Sequence, residues 1–564
     1  MGSTPLEATI ILYLDMTMHR FFEFLPGTLS WLTLILMVLL SWLSPVFIAV
    51  FIILFDIYWL LKTIYLSLHL RSTFSIMKKN LKVDWLGKLK ELDSWRDIYH
   101  LVILPMYREP YEVVRESFES LAKGNYPLEK FIVVLAMEEA GGNEATETAK
   151  KIEAEFGSKF FRFIVTSHPA GLPGEIPGKG SNETWAAKEA KRLIIDPLLY
   201  NNNNYDYDGK DNKSLLSSLS SYDNVLVSVF DADTQIFPEY FGRLTCVFLK
   251  SGNRLRAIYQ PVPLFVNNVY QAPALARVIS FSSTFWQMMQ QSRPERLTSF
   301  SSQSIPFPAL LDIGYWHTDV VSEDSRSFWQ CYLHYHGDFR VEPLFYPVSM
   351  DANAAPTFWG TLKNNYRQHR RWAWGCENIP YLMCGRRKPA DLNSRLSTNN
   401  ESIANERIRK FAKNSLLDDD EGLLYDKKIP LLKKWYWSFN SIEGFHSWAT
   451  NALLIFALGW LPVVLGGKHF NVSLLSYSLP SITRFIVEIS MIGVASAAFF
   501  SILLLPPRPE PIKWYEYILY ALQWIFLPVT LIIFGCIPAL EAQTRMMLGG
   551  KWRLGFWPTP KSRI

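Results

Sequence analysis

The chain has 564 residues, of which 49% are hydrophobic and 19% are charged, and its formal net charge is +5. Soluble chains carry about 25% charged residues, so part of this chain is expected to avoid water. The composition excludes a disordered protein and a collagen-like fibre, and the small net charge argues against a nucleic-acid-binding protein. The five cysteines form no CxxC pair, which gives no sign of a disulfide framework or a zinc site.

Two apolar segments near the N-terminus predict membrane-spanning helices. Residues 24–55 contain no charged side chain, and such a run is longer than the roughly 20 residues that one span needs. Pro45 offers a turn within the run, which places the two spans at about 24–43 and 46–66. Asp56 lies inside the second span and predicts either a polar path or a satisfied hydrogen bond between helices.

Three further apolar segments lie late in the chain, at about 445–466, 485–507 and 517–540. Lysine and arginine flank the long region between the two groups of spans, which predicts that this region is cytosolic. The chain is therefore expected to be a multi-pass protein of the plasma membrane or an equivalent membrane, in contact with membrane lipid. Three late spans would place the C-terminal tail on the side opposite the cytosol, although its basic residues favour the cytosolic side. Pro528 and Pro538 could break the last segment into a hairpin or an interfacial helix.

The central region predicts alternating strands and helices. In chain order these elements are expected at 99–104, 110–123, 131–136, 143–156, 161–166, 182–194 and 225–230. Short apolar strands that alternate with helices are typical of a parallel sheet covered on both faces. Ligands of such sheets bind beyond the carboxyl ends of the strands, so the polar residues at those ends are the candidates for function.

Asp231 and Asp233 directly follow the last of these predicted strands. Two carboxylates two residues apart at a strand end can hold a hard divalent cation. Such an ion can bind a diphosphate and neutralise the charge that develops as the diphosphate leaves. A solvated acidic loop gives the same pattern, but the position at the end of a buried strand favours the metal site.

Ser322, Glu323 and Asp324 precede another helical pattern. Ser322 is expected to cap this helix, and Asp324 would then lie in the first turn, where the helix dipole favours an ionised carboxylate. An ionised carboxylate suits a general base. An ordinary acidic first turn explains the same residues, so this motif alone does not decide the question.

Gln368, Arg371 and Trp372 share one face of a helix predicted from about 361 to 383. Arginine binds phosphate oxygens, and an indole face packs on a sugar ring. The same residues would also serve a tryptophan-rich helix at the membrane surface. Lys179 ends a glycine-rich loop that fails the phosphate-loop pattern, which leaves this lysine as a candidate contact to a phosphate or sugar.

These three motifs, in this order after a βαβ region, resemble those of the membrane-integrated family 2 inverting glycosyltransferases. The nearest comparison is with the processive synthases of cellulose, hyaluronan and chitin, and the likeness covers about 95–385. It implies an α/β GT-A fold, Rossmann-like with a mostly parallel sheet, in a cytosolic domain flanked by transmembrane helices and amphipathic interface helices. The implied regions are an N-terminal membrane region at 1–70, a catalytic domain at 95–345 with a flexible insertion at 200–224, interface helices at 346–440, and a C-terminal membrane region with its tail at 441–564.

The resemblance also implies a role for each matching residue. Asp324, with Glu323 beside it, would be the catalytic base, and Asp233 and Asp231 would bind Mg²⁺ or Mn²⁺. Trp372 would bind the acceptor sugar. The donor-binding residues would be Pro105, Tyr107, Glu109, Glu138, Lys179, Gln368, Arg371, Thr559 and Lys561.

Two of these assignments depart from the family pattern. Glu138 stands near the place of the early aspartate that the family carries after its second strand. The tail at 556–561 resembles the FxVTxK gating loop of cellulose synthase, with Pro558 in place of valine. Proline stiffens the backbone, which argues for less movement of this loop.

The implied activity is transfer of a hexosyl group from a nucleotide diphosphate sugar, expected to be UDP-linked, to a growing polysaccharide that crosses the membrane. Transfer of a single sugar to a lipid acceptor is the first alternative. A non-catalytic scaffold or channel subunit is the second. The presence of all three motifs argues against this last alternative.

Overall fold

The structure is a computed structural model that describes residues 5–200, 219–386, 422–507 and 513–561, with side chains from residue 17 onward. Most of the predicted insertion at 200–224 lies outside the described residues. The longer helices are α1 (Pro5–Leu43), α2 (Pro45–Asn80), α3 (Tyr111–Ala122), α4 (Gly142–Phe156), α5 (Lys179–Ala190), α6 (Tyr240–Lys250), α7 (Ala274–Gln291), α8 (Glu323–His334), α9 (Phe358–Ala373), α10 (Leu431–Leu453), α11 (Leu474–Leu503) and α12 (Trp514–Leu548). The strands are β1 (Tyr99–Met106), β2 (Phe131–Glu138), β3 (Arg162–His168), β4 (Val225–Val229), β5 (Gln235–Ile236), β6 (Ala257–Phe265), β7 (Ser304–Pro306) and β8 (Arg340–Met350).

The eight strands form one sheet in the order β3-β2-β1-β4-β7-β6-β8-β5. The four strands that the sequence predicts pair in parallel. The sheet is mixed rather than mostly parallel, because β7 pairs antiparallel with both of its neighbours and β5 pairs antiparallel with β8. Ser302 Oγ lies 3.3 Å from Thr234 Oγ1, just beyond the carboxyl end of β4. The strand β7 therefore starts beside the carboxyl end of β4 and runs antiparallel to β4.

The strands β1, β2 and β4 are buried on both faces. In β1, Leu101 and Ile103 belong to one apolar cluster, whereas Val102 and Leu104 belong to another. Successive side chains of a strand point to opposite faces, so each face of the sheet has its own apolar layer. This explains the unbroken apolar runs in the sequence and leaves polar side chains to follow the carboxyl ends of β1, β2 and β4.

Within the described residues, four helices are long and apolar enough to cross a membrane, at Thr17–Leu43, Pro45–Asn80, Leu474–Leu503 and Trp514–Leu548. The segment expected to span at about 445–466 is helical in separate pieces. The helix α10 ends at Leu453, a π-helical turn follows to Leu458, and a short helix covers Leu461–Leu465.

The helix α12 contacts the globular domain near both of its ends. Trp524 stacks on Phe285 of α7 with 5.7 Å between the ring centroids. Glu541 accepts hydrogen bonds from Tyr366 at 2.7 Å and from Arg370 at 2.6 Å, both on α9. The chain therefore returns to the globular domain after α12, and the C-terminal tail lies against that domain.

This arrangement predicts on which side of the membrane the tail lies. All five native cysteines are buried, so a cysteine introduced at an exposed position can be labelled selectively. We expect Lys90→Cys, in the globular part, and Lys551→Cys, in the tail, to react with an impermeant maleimide from the same side of sealed vesicles. Val472→Cys, at an 85% exposed position in the connection between α10 and α11, should react from the other side. Labelling of Lys551→Cys and Val472→Cys from one side would contradict this arrangement.

Candidate active site

One cavity of about 1200 Å³ opens at the carboxyl ends of β1, β2 and β4. Residues from all three sequence motifs and from the C-terminal tail line it. The predicted site residues in its wall are Pro105, Tyr107, Glu109, Glu138, Lys179, Asp231, Glu323, Asp324, Gln368, Arg371, Trp372, Thr559 and Lys561. The remaining one, Asp233, lies fully buried beside the wall.

Lys179 joins the first two motifs. Its Nζ atom lies 2.9 Å from Oδ1 of Asp231 and 2.9 Å from Oδ1 of Asp324. Oε1 of Glu183, one turn further along α5, lies 3.5 Å from the same Nζ atom. Burial favours a neutral amine, but the surrounding carboxylates, Asp231 first, outweigh burial and raise the pKa of Lys179 well above its usual value. The ammonium group therefore stays charged at the centre of three carboxyl groups.

The carboxyl groups of Asp231, Asp324 and Glu323 differ in acidity. Burial opposes ionisation of Asp231, yet Lys179 and Lys561 lower its pKa to about 2. Burial raises the pKa of Asp324, and Lys179 offsets only part of this effect. Burial and the charge of Asp324 raise the pKa of Glu323 to about 8. Asp231 is thus a permanent anion, whereas Asp324 accepts a proton more readily than an ordinary aspartate.

Glu377 holds the turn before α8, a role that the sequence assigned to a serine cap. Ser322 precedes α8, but its side chain makes no capping hydrogen bond. Its hydroxyl instead donates to Oε1 of Glu377 at 2.7 Å, and the N–H groups of Val321 and Ser322 donate to the same oxygen at 3.0 Å. Oε2 of Glu377 accepts from the indole N–H of Trp374 at 2.9 Å. This carboxylate therefore connects the second motif to the end of the third.

Asp233 is arranged like a cation ligand. Its Oδ2 atom accepts hydrogen bonds from the N–H of Asp351 at 2.9 Å and from Nζ of Lys561 at 2.6 Å. Its buried Oδ1 atom has no hydrogen-bond partner among the described residues, a costly state for a carboxylate that a metal ion would relieve. The part of the chain that the structure describes holds no group of three metal-binding side chains. Mg²⁺ needs only one or two carboxylates when substrate phosphates supply further oxygens.

The third motif presents its side chains from α9. Oε1 of Gln368 accepts a hydrogen bond from Asn353 at 3.1 Å. Nε of Arg371 is buried and has no partner among the described residues, so part of the guanidinium group remains available to an anion. The ring of Trp372 packs 4.9 Å from His369 and 6.1 Å from Phe265.

The C-terminal tail runs across this site. Phe556 packs so closely on Gly178 that a Cβ atom on this glycine would lie 2.7 Å from the ring. The guanidinium group of Arg371 lies 5.3 Å from the same ring. Oγ1 of Thr559 is buried without a partner among the described residues. The tail thus contacts the loop before Lys179 and the third motif, while its lysine reaches Asp233.

Glu138 and Glu109 occupy the ends of neighbouring strands. His168, at the end of β3, donates through Nδ1 to Glu138 at 3.0 Å and through Nε2 to Glu175 at 2.9 Å. Burial opposes its protonation, but the two carboxylates outweigh burial and raise the pKa of His168 to about 9. Glu109 accepts the N–H of Tyr107 at 2.7 Å, which closes the turn after β1.

Sequence reasoning missed three of these charged residues: Glu183, Glu377 and His168. Glu183 follows Lys179 by four residues, a spacing that places both on one helical face and could have revealed the pair. Ser322, which contacts Glu377, and Glu138, which contacts His168, lie 55 and 30 residues away in the chain. No local spacing in the sequence points to these two residues.

The chain matches no protein-family model and no curated protein. Several solved structures resemble it. The mannosyltransferase PcManGT from Pyrobaculum calidifontis, in complex with GDP-Man and Mn²⁺, aligns over 78% of this chain and 99% of its own, with 11% identity and a TM-score of 0.34. S. aureus TarS 1–349 in complex with UDP-GlcNAc aligns over 74% of this chain and 95% of its own, with 13% identity and a TM-score of 0.27. These neighbours bind nucleotide sugars, but both TM-scores lie below 0.5, so the function proposed below rests on the geometry of the site.

His168 predicts that stability depends on pH. Its pKa of about 9 in the folded chain exceeds the value of about 6.5 expected after unfolding. The stabilising effect is therefore complete below about pH 6.5 and is lost as the pH rises through 9. We expect the wild type to lose stability of the order of 3 kcal/mol over this interval, and His168→Gln to lose much less, in unfolding experiments in detergent. His334→Gln is the control and should follow the wild type. An equal loss of stability with pH in His168→Gln would contradict the assignment of this pH dependence to His168.

Proposed function

We propose that the chain is a membrane-embedded inverting glycosyltransferase. It moves a sugar from a nucleotide diphosphate sugar, expected to be UDP-linked, to a growing polysaccharide. The main support is that three motifs from distant parts of the chain line one cavity, where Lys179 contacts both Asp231 and Asp324. This convergence is also the reason for preferring an enzyme over a non-catalytic scaffold or channel subunit.

In the proposed reaction, Asp324 takes the proton of an acceptor hydroxyl. The acceptor oxygen forms a bond to the anomeric carbon, on the face opposite the diphosphate. The bond from that carbon to the diphosphate oxygen breaks, and the nucleoside diphosphate leaves with the electron pair, so the anomeric centre is inverted. The raised pKa of Asp324 supports its role as the base, and Lys179 favours its ionised form before the proton arrives.

The charge that develops on the diphosphate requires nearby cations. Lys179, Arg371 and Lys561 all line the cavity. In the proposed site they bind the phosphate oxygens, together with hydrogen bonds from Gln368 and Thr559. Mg²⁺ or Mn²⁺, held by Asp233 and Asp231, would further stabilise the leaving group as a Lewis acid.

The remaining donor contacts are proposed at the ends of β1 and β2. Pro105, Tyr107 and Glu109 follow one strand end, and Glu138 ends the next, so the four lie side by side in the cavity wall. This edge is where the nucleobase and ribose are proposed to bind. Trp372 would pack on the acceptor sugar.

The cavity continues from Asp324 between the apolar helices α2, α10, α11 and α12. Trp59, Trp437 and Trp448 line this part, and aromatic faces pack well against sugar rings. Lys62 and Glu443, 3.1 Å apart, add polar groups that can bond hydroxyls. These features support extension of a polysaccharide into the membrane region. Apolar walls would also accept a lipid, so transfer of a single sugar to a lipid acceptor remains the alternative.

The first prediction concerns the base. Protein purified into lipid is supplied with a panel of nucleotide sugars and with Mg²⁺ or Mn²⁺. We expect metal-dependent release of nucleoside diphosphate from one donor, and a loss of roughly 100-fold or more in Asp324→Asn, because general base catalysis contributes about that much. Asp97→Asn, at an exposed position, is the control and should keep full activity.

Two outcomes would contradict this assignment. Release that survives Asp324→Asn would indicate hydrolysis of the donor and remove Asp324 from the role of base. No release with any donor, from folded protein that still binds nucleotide, would favour the non-catalytic scaffold.

The size of the product separates polysaccharide from glycolipid. We expect a ladder of products on a sizing gel, and shorter products from Trp448→Ala, because this side chain lines the cavity among the apolar helices. Trp514→Ala, at a 75% exposed position outside the cavity, should leave the ladder unchanged. One discrete lipid-soluble product would instead support the lipid acceptor.

A further inference from the structure

A second cavity of about 760 Å³ lies between α2 and α11. It shares no lining residue with the cavity of the candidate active site. One wall is basic and the other is apolar. The side chains that form this α2–α11 groove are Arg71, Phe74, Ser75, Lys78, Lys79, Lys82, Ile492, Ala495, Ser496, Phe499, Phe500 and Leu503.

The basic wall carries uncompensated positive charge. Arg71, Lys78 and Lys82 are separated by seven and four residues, which places them on one side of the helix and its continuation, and Lys79 lies next to them. Among the residues that the structure describes, no acidic side chain lines the groove. Within the described residues, none of these four basic side chains forms an ion pair, and all four are exposed. The wall therefore presents four cations to one space.

The opposite wall is apolar and exposed. Ile492, Phe499 and Leu503 of α11 are 68%, 59% and 46% exposed. Behind them the rings of Phe74 and Phe500 pack with 5.0 Å between centroids and close the floor of the groove. Such a surface favours a hydrocarbon chain over water.

The length of α2 sets the depth of the groove in the membrane. The helix has 36 residues, or about 54 Å at 1.5 Å per residue, whereas the hydrocarbon core of a bilayer is about 30 Å thick. Its final turns must therefore extend past the apolar layer. Those turns are fixed to the globular domain, since Thr73 donates to the carbonyl of Met288 at 2.7 Å and Asn80 to that of Phe345 at 2.9 Å. The groove thus lies where lipid phosphates are expected.

We propose that the α2–α11 groove binds an anionic phospholipid from the surrounding leaflet. Its phosphate headgroup contacts Lys78, Lys79 and Lys82, and one acyl chain covers Phe499 and Leu503. A free phosphate would leave the apolar wall in water, and a zwitterionic lipid would leave the basic wall uncompensated. Juxtamembrane basic clusters attract anionic lipid through the same electrostatics. This proposal does not depend on sugar transfer.

The test uses the full chain in phosphatidylcholine vesicles that contain a photoactivatable phosphatidylglycerol analogue in one arm and a photoactivatable phosphatidylcholine analogue in the other. We expect the anionic analogue to crosslink at 71–82 and 492–503, and the zwitterionic analogue to crosslink there far less. In Lys78→Gln/Lys79→Gln/Lys82→Gln the affinity for the anionic analogue should fall roughly 100-fold.

A charge-matched variant controls for the loss of three positive charges. Lys90→Gln/Lys150→Gln/Lys250→Gln removes exposed lysines outside the groove and should crosslink like the wild type. Equal labelling by the two analogues in the wild type would overturn the proposal without reference to any variant. Competition by soluble glycerol phosphate would indicate a site for free anions and would also overturn the proposal. A lysate protein that displaces the lipid and is itself crosslinked in the groove would overturn the proposal as well.

Discussion

The site depends on one buried ammonium group. Lys179 starts α5 and holds Asp231 from the end of β4 and Asp324 from the start of α8 at the same distance. Buried charges are tolerated only when they are paired, and removal of one partner from a buried pair costs several kcal/mol. Without Lys179, the carboxylates of Asp231 and Asp324 would repel each other in a shared space. The lysine therefore fixes the relative position of the first two motifs as well as their charge.

The tail adds a second cation that acts on the same strand end. Lys561 donates to Asp233 and helps to lower the pKa of Asp231, so both aspartates of the first motif are matched by an ammonium group. At Asp324, burial raises the pKa, and Lys179 and Arg371 offset only part of this effect because the charge of Asp231 adds to it. Burial and unequal pairing thus separate the acidities of these carboxyl groups. A carboxylate with a low pKa, such as Asp231, stays ionised and suits the binding of cations. A carboxylate with a raised pKa, such as Asp324, suits the acceptance of a proton.

Strands and helices that leave a pattern of apolar residues within a short stretch of sequence could be predicted from the sequence. The runs that became β1, β2 and β4 were visible because strands buried on both faces are continuously apolar. The two-residue β5 and three-residue β7 are too short to leave such a pattern, and their antiparallel pairing makes the sheet mixed. The residues that support the motifs were hidden for a related reason. Glu377 contacts Ser322 and His168 contacts Glu138 only after folding brings distant segments together.

The helix α2 is long and apolar enough to cross a membrane, and it also lines the candidate active site. Trp59 and Lys62 on this helix line the main cavity, its basic end lines the groove of α11, and Thr73 joins it to the globular domain. A helix of this length is stiff, because each turn is held by its own backbone hydrogen bonds. In the proposed membrane arrangement, the depth of α2 in the bilayer therefore also sets the height of the cavity wall above the strand ends. A lipid that neutralises the basic end would hold that depth constant, which gives the long, charged extension of this span a structural reason.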